Sequence, residues 1–418
     1  MIAKYQQSGL VEFAEPDYVI HADATPNDPK YLDGTLWGLN NIGQNGGTPD
    51  ADIDAPEAWD VLNSASNVVV ALLDTGIRYT HEDLSQNIWT NPIDGTLGFN
   101  AFSGNSDVND DNGHGTLVAG VLGAAGNNGK GVVGVAWRVQ MMACKCLNSN
   151  GVGGDSELVA CIDFARTNGA RIINASLDTS GSSLAVSNAI ESAREAGIIF
   201  VASAGNGIPP STFPTNIDFS PRFPACYPMD NIVSVAYSSR NDTLGTYSNY
   251  GATNVDLFAP GDQLYSTYST ADNAYFPPIS FINIAGTSFS AAYVSGAFAL
   301  MVARYPDENY LQIINRVLKA VDPIPALAGK CVTGGRLNLW KALSPSINLV
   351  SIPGANGLPF QLRLSSGANR LCIIQSSSDL FNWSPLYTNT TDTNGVFNFL
   401  DTDSTNAGQR FYRAVAAP

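Results

Sequence analysis

Histidine, cysteine and basic residues are all scarce in this chain. Its 418 residues include three histidines and six cysteines, and 21 lysines and arginines stand against 37 aspartates and glutamates. The net charge of −16 disfavours partners such as nucleic acid and anionic membranes, and no polybasic segment offsets it. The cysteines are too few and too scattered for a fold built on disulfides, and they include no Cys-x-x-Cys pair typical of a metal cluster.

The cysteines are expected to be mostly buried free thiols, which behave as small apolar side chains. Cys144 and Cys146 project from one face of a predicted strand, and Cys161 lies on the next helix. One disulfide among these three, or one between Cys226 and Cys331, stays open as an alternative.

Long apolar runs are also missing. The longest stretches, such as 198–204 and 296–303, fall far short of the ~20 residues that span a bilayer. We therefore expect a soluble protein with no membrane span. The sequence after Met1 lacks the charged and apolar regions of a signal peptide.

Because histidine is scarce, the chain has few candidates for a general base. Histidine most often fills that role near neutral pH. Of His21, His81 and His114, only His114 stands between glycines and ahead of a helical pattern. His81 follows Thr80 in a polar loop, where we expect a solvated surface side chain.

Three short segments supply an acid, an imidazole and a hydroxyl in that order. They are Asp74-Thr75-Gly76, His114-Gly115-Thr116 and Gly286-Thr287-Ser288. The apolar run 68–73 predicts that Asp74 ends a buried parallel strand, where open α/β sheets place their sites. Ser288 opens a helix predicted to run from Phe289 to about Ala303, so its hydroxyl lies near N–H groups that favour negative charge. Each segment alone is an ordinary turn or helix start, but together they indicate nucleophilic catalysis.

With these motifs the chain resembles the subtilisin-like (subtilase) family of serine peptidases over about residues 30–343. The resemblance implies an α/β fold, a parallel sheet flanked by helices, and a serine endopeptidase that forms an acyl-enzyme with extended polypeptides. It implies that Asp74, His114 and Ser288 form the catalytic triad. The segment 198–206 resembles the strand that ends in the family's oxyanion asparagine, so Asn206 would donate its side-chain amide together with the Ser288 N–H. A plain turn residue is the alternative for Asn206.

The resemblance also implies which residues bind substrate. Two segments resemble strands that clasp an extended peptide, and a third would form a wall of the primary specificity pocket: Gly151-Val152-Gly153, Ser176-Leu177-Asp178 and Ala202-Ser203-Ala204-Gly205. Asp178 stands where a glycine is common in the family. Two interpretations stay open for Asp178, a solvated side chain and a selector of basic substrate residues.

Calcium is the one cofactor that the resemblance implies, in a structural role, and catalysis needs none. Asp83 matches the family loop whose aspartate joins a second loop in an oxygen-ligand cage, here with Asn127 and Asn128. Lys130 within that second loop argues against a cation. The acidic segment 107–112 is expected to be a solvated loop.

The chain is predicted to contain three parts. Residues 1–24 resemble the remnant of an inhibitory prodomain, and a cut is expected between about Tyr18 and Asn27. Residues 25–345 are predicted to form the peptidase domain. Residues 346–418 are predicted to form a small β-sandwich. We expect a secreted monomer whose partners are protein or peptide substrates and its own prodomain.

The sequence leaves two alternative classes of function open. A catalytically silent homologue could bind peptides without cleaving them, although the complete triad argues against it. A serine esterase or lipase usually carries Gly-x-Ser-x-Gly and the order Ser, Asp, His, which this chain lacks.

Overall fold

The computed structural model describes residues 24–207, 213–276, 285–344, 347–352, 360–366, 370–392, 395–406 and 410–416. The chain divides into two compact units on either side of the Leu343–Ser344 bond. Residues 1–23 lie outside the described residues, and with them nearly all of the segment predicted to be a prodomain remnant.

The first unit is built on one large sheet. Within the described residues, its nine strands are β1 (Ser64–Asp74), β2 (Gly98–Asn100), β3 (Arg138–Lys145), β4 (Ile172–Ala175), β5 (Ile199–Ser203), β6 (Ile232–Ser238), β7 (Leu257–Pro260), β10 (Asp322–Pro323) and β11 (Gly335–Arg336). They join in the order β10-β11-β7-β6-β5-β4-β1-β3-β2, and every neighbouring pair is parallel except β10 with β11. A separate antiparallel pair consists of β8 (Ser266–Thr267) and β9 (Tyr275–Phe276).

Helices cover both faces of the large sheet. They are α1 (Pro29–Leu32), α2 (Ala55–Trp59), α3 (His114–Gly123), α4 (Asp155–Thr167), α5 (Leu184–Glu195), α6 (Thr287–Arg304), α7 (Tyr310–Lys319) and α8 (Leu339–Leu343). Short 3₁₀ helices span Gln44–Gly46, Ser85–Asn87, Pro325–Leu327 and Thr402–Asn406.

The three layers follow from the two-residue period of the central strand. Val70 and Leu72 of β1 belong to an apolar cluster with residues of α3 and α6, whereas Ala71 and Leu73 belong to a second cluster with residues of α4 and α5. Successive strand residues point to opposite faces, so a wholly apolar strand must be covered on both sides. The predicted parallel sheet between helical layers is confirmed.

The second unit is all β. It contains β12 (Asn348–Ile352), β13 (Phe360–Ser365), β14 (Leu371–Ser377), β15 (Ser384–Thr390), β16 (Val396–Asp401) and β17 (Phe411–Ala416). Two three-stranded antiparallel sheets, β12-β13-β16 and β15-β14-β17, share an apolar core around Leu364, Ile374 and Phe397. This agrees with the predicted C-terminal β module.

All six cysteines lie in described parts of the chain, and all are free thiols. Five are buried and Cys226 is half-buried. The expectation of buried thiols is confirmed, and the alternative disulfides do not form. Within the described ranges, no helix is both long enough and apolar enough to cross a membrane.

Candidate active site

Asp74 lies at the carboxyl end of β1, in the middle of the sheet between β4 and β3. Its side chain is fully buried, and Oδ1 accepts hydrogen bonds of 2.7 Å from both the Thr75 N–H and His114 Nδ1. The second oxygen, Oδ2, is buried and accepts no hydrogen bond from the part of the chain that the structure describes. The imidazole is therefore the main side-chain partner of this carboxylate.

His114 is the first residue of α3, after Gly113 in a left-handed conformation at φ 114°. Its bond to Asp74 through Nδ1 holds the ring orientation and the tautomer that leaves Nε2 available. Burial lowers the pKa of His114, but the charge and the hydrogen bond of Asp74 outweigh it, so the pKa is raised above its usual 6.5. An imidazole held in this way is suited to general base catalysis.

Ser288 is the second residue of α6 and is almost fully buried, with 9% of its surface exposed. Its hydroxyl donates to the Ser176 carbonyl at 3.4 Å. Among the described residues, the hydroxyl forms no hydrogen bond with His114. The neighbouring Phe289 ring lies 5.9 Å from the His114 ring, centroid to centroid. The structure therefore places the start of α6 against the imidazole, with the Ser288 hydroxyl turned toward Ser176.

Asn206 lies just beyond the end of β5 and next to the start of α6. Its Oδ1 accepts from the Thr287 N–H at 3.1 Å, which orients the side-chain amide. Among the described residues, no acceptor takes the Nδ2 hydrogens. An amide oriented in this way has free N–H donors beside Ser288 at the start of α6.

The predicted substrate-binding segments take two different positions. A cleft of about 520 Å³ is lined by His114 together with 151–153 and 176–178. The third segment, 202–205, does not line this cleft but packs against it, since the Ser203 hydroxyl donates to the Leu177 carbonyl at 3.3 Å. Neither of the lining segments is part of a β-strand.

Asp178 is not the solvated side chain that one interpretation expects. Only 21% of its side chain is exposed, and its Oδ2 lies 3.4 Å from Nη1 of Arg222.

Asp110 is a site residue that the sequence analysis missed, since it treated 107–112 as a solvated loop. Its carboxylate is 3% exposed and accepts five hydrogen bonds. The donors are the hydroxyls of Thr75 and Thr116 and the N–H groups of Asn112, Gly113 and Thr116. Asp110 thus ties the residue after Asp74 to both sides of His114. Its position four residues before His114 was the available signal.

His81 also differs from the expected surface residue. It is fully buried, its Nε2 donates to the Ala274 carbonyl at 2.8 Å, and its Nδ1 accepts from the Asp83 N–H at 3.1 Å. Desolvation by burial lowers its pKa. A neutral imidazole satisfies both of these hydrogen bonds, so His81 is a structural residue.

Two of the three expected calcium ligands, Asp83 and Asn128, lie together, but the arrangement does not fit a calcium ion. Both oxygens of buried Asp83 accept from protein donors: Asn128 Nδ2 at 2.8 Å, the Val132 N–H at 2.9 Å and the Tyr275 hydroxyl at 2.9 Å. Asn127 lies apart from this carboxylate, with its Oδ1 accepting from the Asn27 N–H at 3.3 Å.

A cation at this point would face hydrogens rather than lone pairs. The Asn128 side chain turns its NH₂ group toward Asp83 because its own oxygen accepts from the Lys130 N–H. The Lys130 ammonium forms an ion pair with neighbouring Glu82 at 3.3 Å. Hydrogen bonds therefore satisfy Asp83 in place of a metal.

The sequence of this chain matches a family model and the sequences of known proteases. The family model described as the subtilase family matches residues 65–322. A thermophilic serine proteinase of Bacillus sp. (strain AK1) is 32% identical over 335 residues, covering 80% of this chain and 73% of that protein. Subtilisin DY of Bacillus licheniformis is 36% identical over 252 residues, covering 60% of this chain and 82% of that protein.

Solved structures agree with the sequence matches. A protease of Pseudoalteromonas arctica PAMC 21717 superimposes with a TM-score of 0.62 at 29% identity, covering 77% of this chain and 99% of that one. A cold-adapted subtilisin-like serine proteinase superimposes with a TM-score of 0.59 at 26% identity, covering 73% of this chain and 98% of that one. This chain therefore belongs to the subtilase family and is a subtilisin-like serine protease.

Proposed function

We propose that Asp74, His114 and Ser288 form the catalytic triad of this serine endopeptidase. The supporting observation is the 2.7 Å hydrogen bond between His114 Nδ1 and a buried aspartate at the end of β1, with Ser288 at the start of α6 nearby. When substrate binds, the Ser288 hydroxyl leaves the Ser176 carbonyl and donates to His114 Nε2. Such bonds are often formed only in the substrate complex.

The reaction then proceeds in two halves. Ser288 Oγ attacks the peptide carbonyl carbon while its proton passes to His114 Nε2. The tetrahedral intermediate collapses, the C–N bond breaks, and His114 returns the proton to the leaving amine. A water molecule, deprotonated by His114, then attacks the acyl carbon. The bond between that carbon and Ser288 Oγ breaks, and His114 returns the proton to Ser288. Asp74 stabilises the imidazolium in both halves.

Asn206 and the Ser288 backbone N–H are proposed to hold the oxyanion. The free Nδ2 of Asn206 supports this role, because its Oδ1 is held by Thr287 next to the nucleophile. Such a donor acts on charge that develops only in the transition state. Removing it should therefore lower kcat while leaving substrate binding nearly unchanged.

The two lining segments, 151–153 and 176–178, are proposed to bind the substrate backbone as an added strand, with 202–205 supporting the primary pocket. Their position along the cleft and outside the strands of the sheet supports this proposal.

A fluorophosphonate probe and mass spectrometry test the triad. Ser288→Ala should abolish both labelling and peptide hydrolysis, whereas Ser290→Ala, two residues further along the same helix, should keep both. Asn206→Ala should lower kcat by ~10²- to 10³-fold with little change in KM. Near-normal turnover in Ser288→Ala would exclude the proposed mechanism.

Family membership also supports three further proposals: the protein is secreted, is inhibited by its own prodomain before maturation, and acts as a monomer. N-terminal sequencing of active enzyme tests the maturation step, with a cut expected between residues 18 and 27. An active enzyme that still begins at Met1 would contradict it.

A further inference from the structure

The ion pair between Arg222 and Asp178 lies beside the substrate cleft. Asp178 lines the same cleft as His114, and its Oδ2 lies 3.4 Å from Arg222 Nη1. Both side chains are mostly withdrawn from solvent, with 23% of Arg222 and 21% of Asp178 exposed. The sequence patterns do not indicate Arg222, because it lies 44 positions beyond Asp178 in an ordinary loop.

Backbone hydrogen bonds hold the two segments side by side. The Thr179 N–H donates to the Phe223 carbonyl at 2.9 Å, and the Phe223 N–H donates to the Thr179 carbonyl at 2.8 Å. Each of these residues directly follows one member of the ion pair. The Arg222 carbonyl also accepts from the Cys226 N–H at 2.8 Å. The contact is therefore built into the chain path and does not depend on two mobile surface side chains.

Gly205, the last residue of the segment 202–205, lies close to the same carboxylate oxygen that faces Arg222. A Cβ atom placed on Gly205 would lie 2.8 Å from Asp178 Oδ2, and Gly205 has a φ of +82°. A glycine at this position therefore lets the carboxylate approach the wall. Because the Asp178 side chain is mostly buried beside Gly205 and Arg222, a nearby charge has a strong effect on it.

The pair as a whole is neutral, and this determines which substrate side chains it tolerates. A lysine entering the pocket would gain the carboxylate but meet the guanidinium, and a glutamate would gain the guanidinium but meet the carboxylate. Like charges at such distances discriminate against a ligand. A neutral side chain meets neither penalty.

We propose that Arg222 is a specificity-determining residue that neutralises Asp178, so that this protease cleaves next to neutral side chains. The inference rests on the proposed function, because it takes Asp178 as part of the primary specificity pocket. Either partner on its own would select the opposite charge: Asp178 would select lysine or arginine, and Arg222 would select aspartate or glutamate.

Peptides that differ only in the residue before the scissile bond test this inference. Lysine is compared with methionine and glutamate with glutamine, because each pair is close in size. Arg222→Gln should raise the Lys-to-Met ratio of kcat/KM about tenfold, and Asp178→Asn should raise the Glu-to-Gln ratio by a similar factor. The double variant should return to the neutral preference of the wild type, because both charges are gone.

Arg166→Gln is the matched control. Arg166 forms a similar pair with Asp163, at 3.1 Å on α4, so its loss should leave both ratios unchanged. Fluorophosphonate titration gives the concentration of active enzyme in every variant. If Arg222→Gln and Asp178→Asn react with the fluorophosphonate but keep the wild-type ratios of kcat/KM, the specificity inference is wrong and the proposed function stands. If the wild-type enzyme does not react with the fluorophosphonate, the proposed function is wrong as well.

Discussion

Replacing Asp110 with asparagine should weaken both the fold and the reaction, although Asp110 touches no reacting atom. Its carboxylate is 3% exposed and accepts five hydrogen bonds, three at Oδ1 and two at Oδ2. Asparagine keeps the shape but turns one acceptor into an NH₂ donor. In the milder orientation this group faces the Thr116 N–H, and in the other it faces the N–H groups of Asn112 and Gly113.

The size of the effect follows from these contacts. At least one buried N–H donor loses its acceptor, at about 1–3 kcal/mol, and the remaining bonds lose the strength that a charged acceptor provides. We expect the unfolding free energy to fall by about 3 kcal/mol. Because Gly113 and Thr116 flank His114, the imidazole should also shift, and kcat should fall on the order of tenfold or more.

Urea unfolding and kcat per titrated active site measure the two effects. A pH profile separates positioning from general instability, because the charge of Asp110 contributes to the raised pKa of His114. The acidic limb of kcat in Asp110→Asn should therefore move to lower pH. Asp107→Asn, exposed in the same loop, is the control and should change stability by less than about 0.5 kcal/mol. An Asp110→Asn enzyme with wild-type stability and kcat would refute the reasoning.

Three further predictions concern His114, Asp52 and the hydrogen bonds of Asp83. Because Asp74 holds the pKa of His114 above 6.5, and the base must be neutral, kcat should fall with decreasing pH from a midpoint above 6.5. Asp74→Asn should move that midpoint down while lowering kcat, and an unmoved midpoint would contradict the assignment. Burial raises the pKa of Asp52 to about 7, from 3.8, so between those values the folded protein holds a proton that the unfolded chain has lost. The unfolding free energy should therefore fall as pH rises through this window, by up to ~1.4 kcal/mol per unit from this group, and Asp52→Asn should flatten the slope in urea titrations at pH 5 to 7. Chelation with EDTA should leave the Tm unchanged, whereas Tyr275→Phe, which removes a donor from buried Asp83, should lower the unfolding free energy by about 1–2 kcal/mol. A Tm that drops by several degrees in EDTA would contradict this prediction.

The sequence determined the elements that carry the three proposed triad residues, because the signals of these elements are local. The apolar run before Asp74 predicts a buried strand, and β1 ends at Asp74. The glycines and apolar spacing around His114 predict a helix start, and α3 begins at His114. The helix expected from Phe289 begins two residues earlier, at Thr287, and still presents Ser288 in its first turn. Hydrophobic periodicity and helix start signals act within a few residues, so they can be read directly.

Only the tertiary structure decided what each polar side chain contacts. Asp110 reaches Thr75 across 35 positions, Asp178 meets Arg222 across 44, and Asp83 is satisfied by the Tyr275 hydroxyl across 192. Charge and polarity show that such groups need partners, but the partner is set by how the sheet brings distant loops to one edge. For this reason the sequence patterns predicted that Asp110 and His81 are solvated, whereas the folded chain buries both side chains and provides their hydrogen-bond partners.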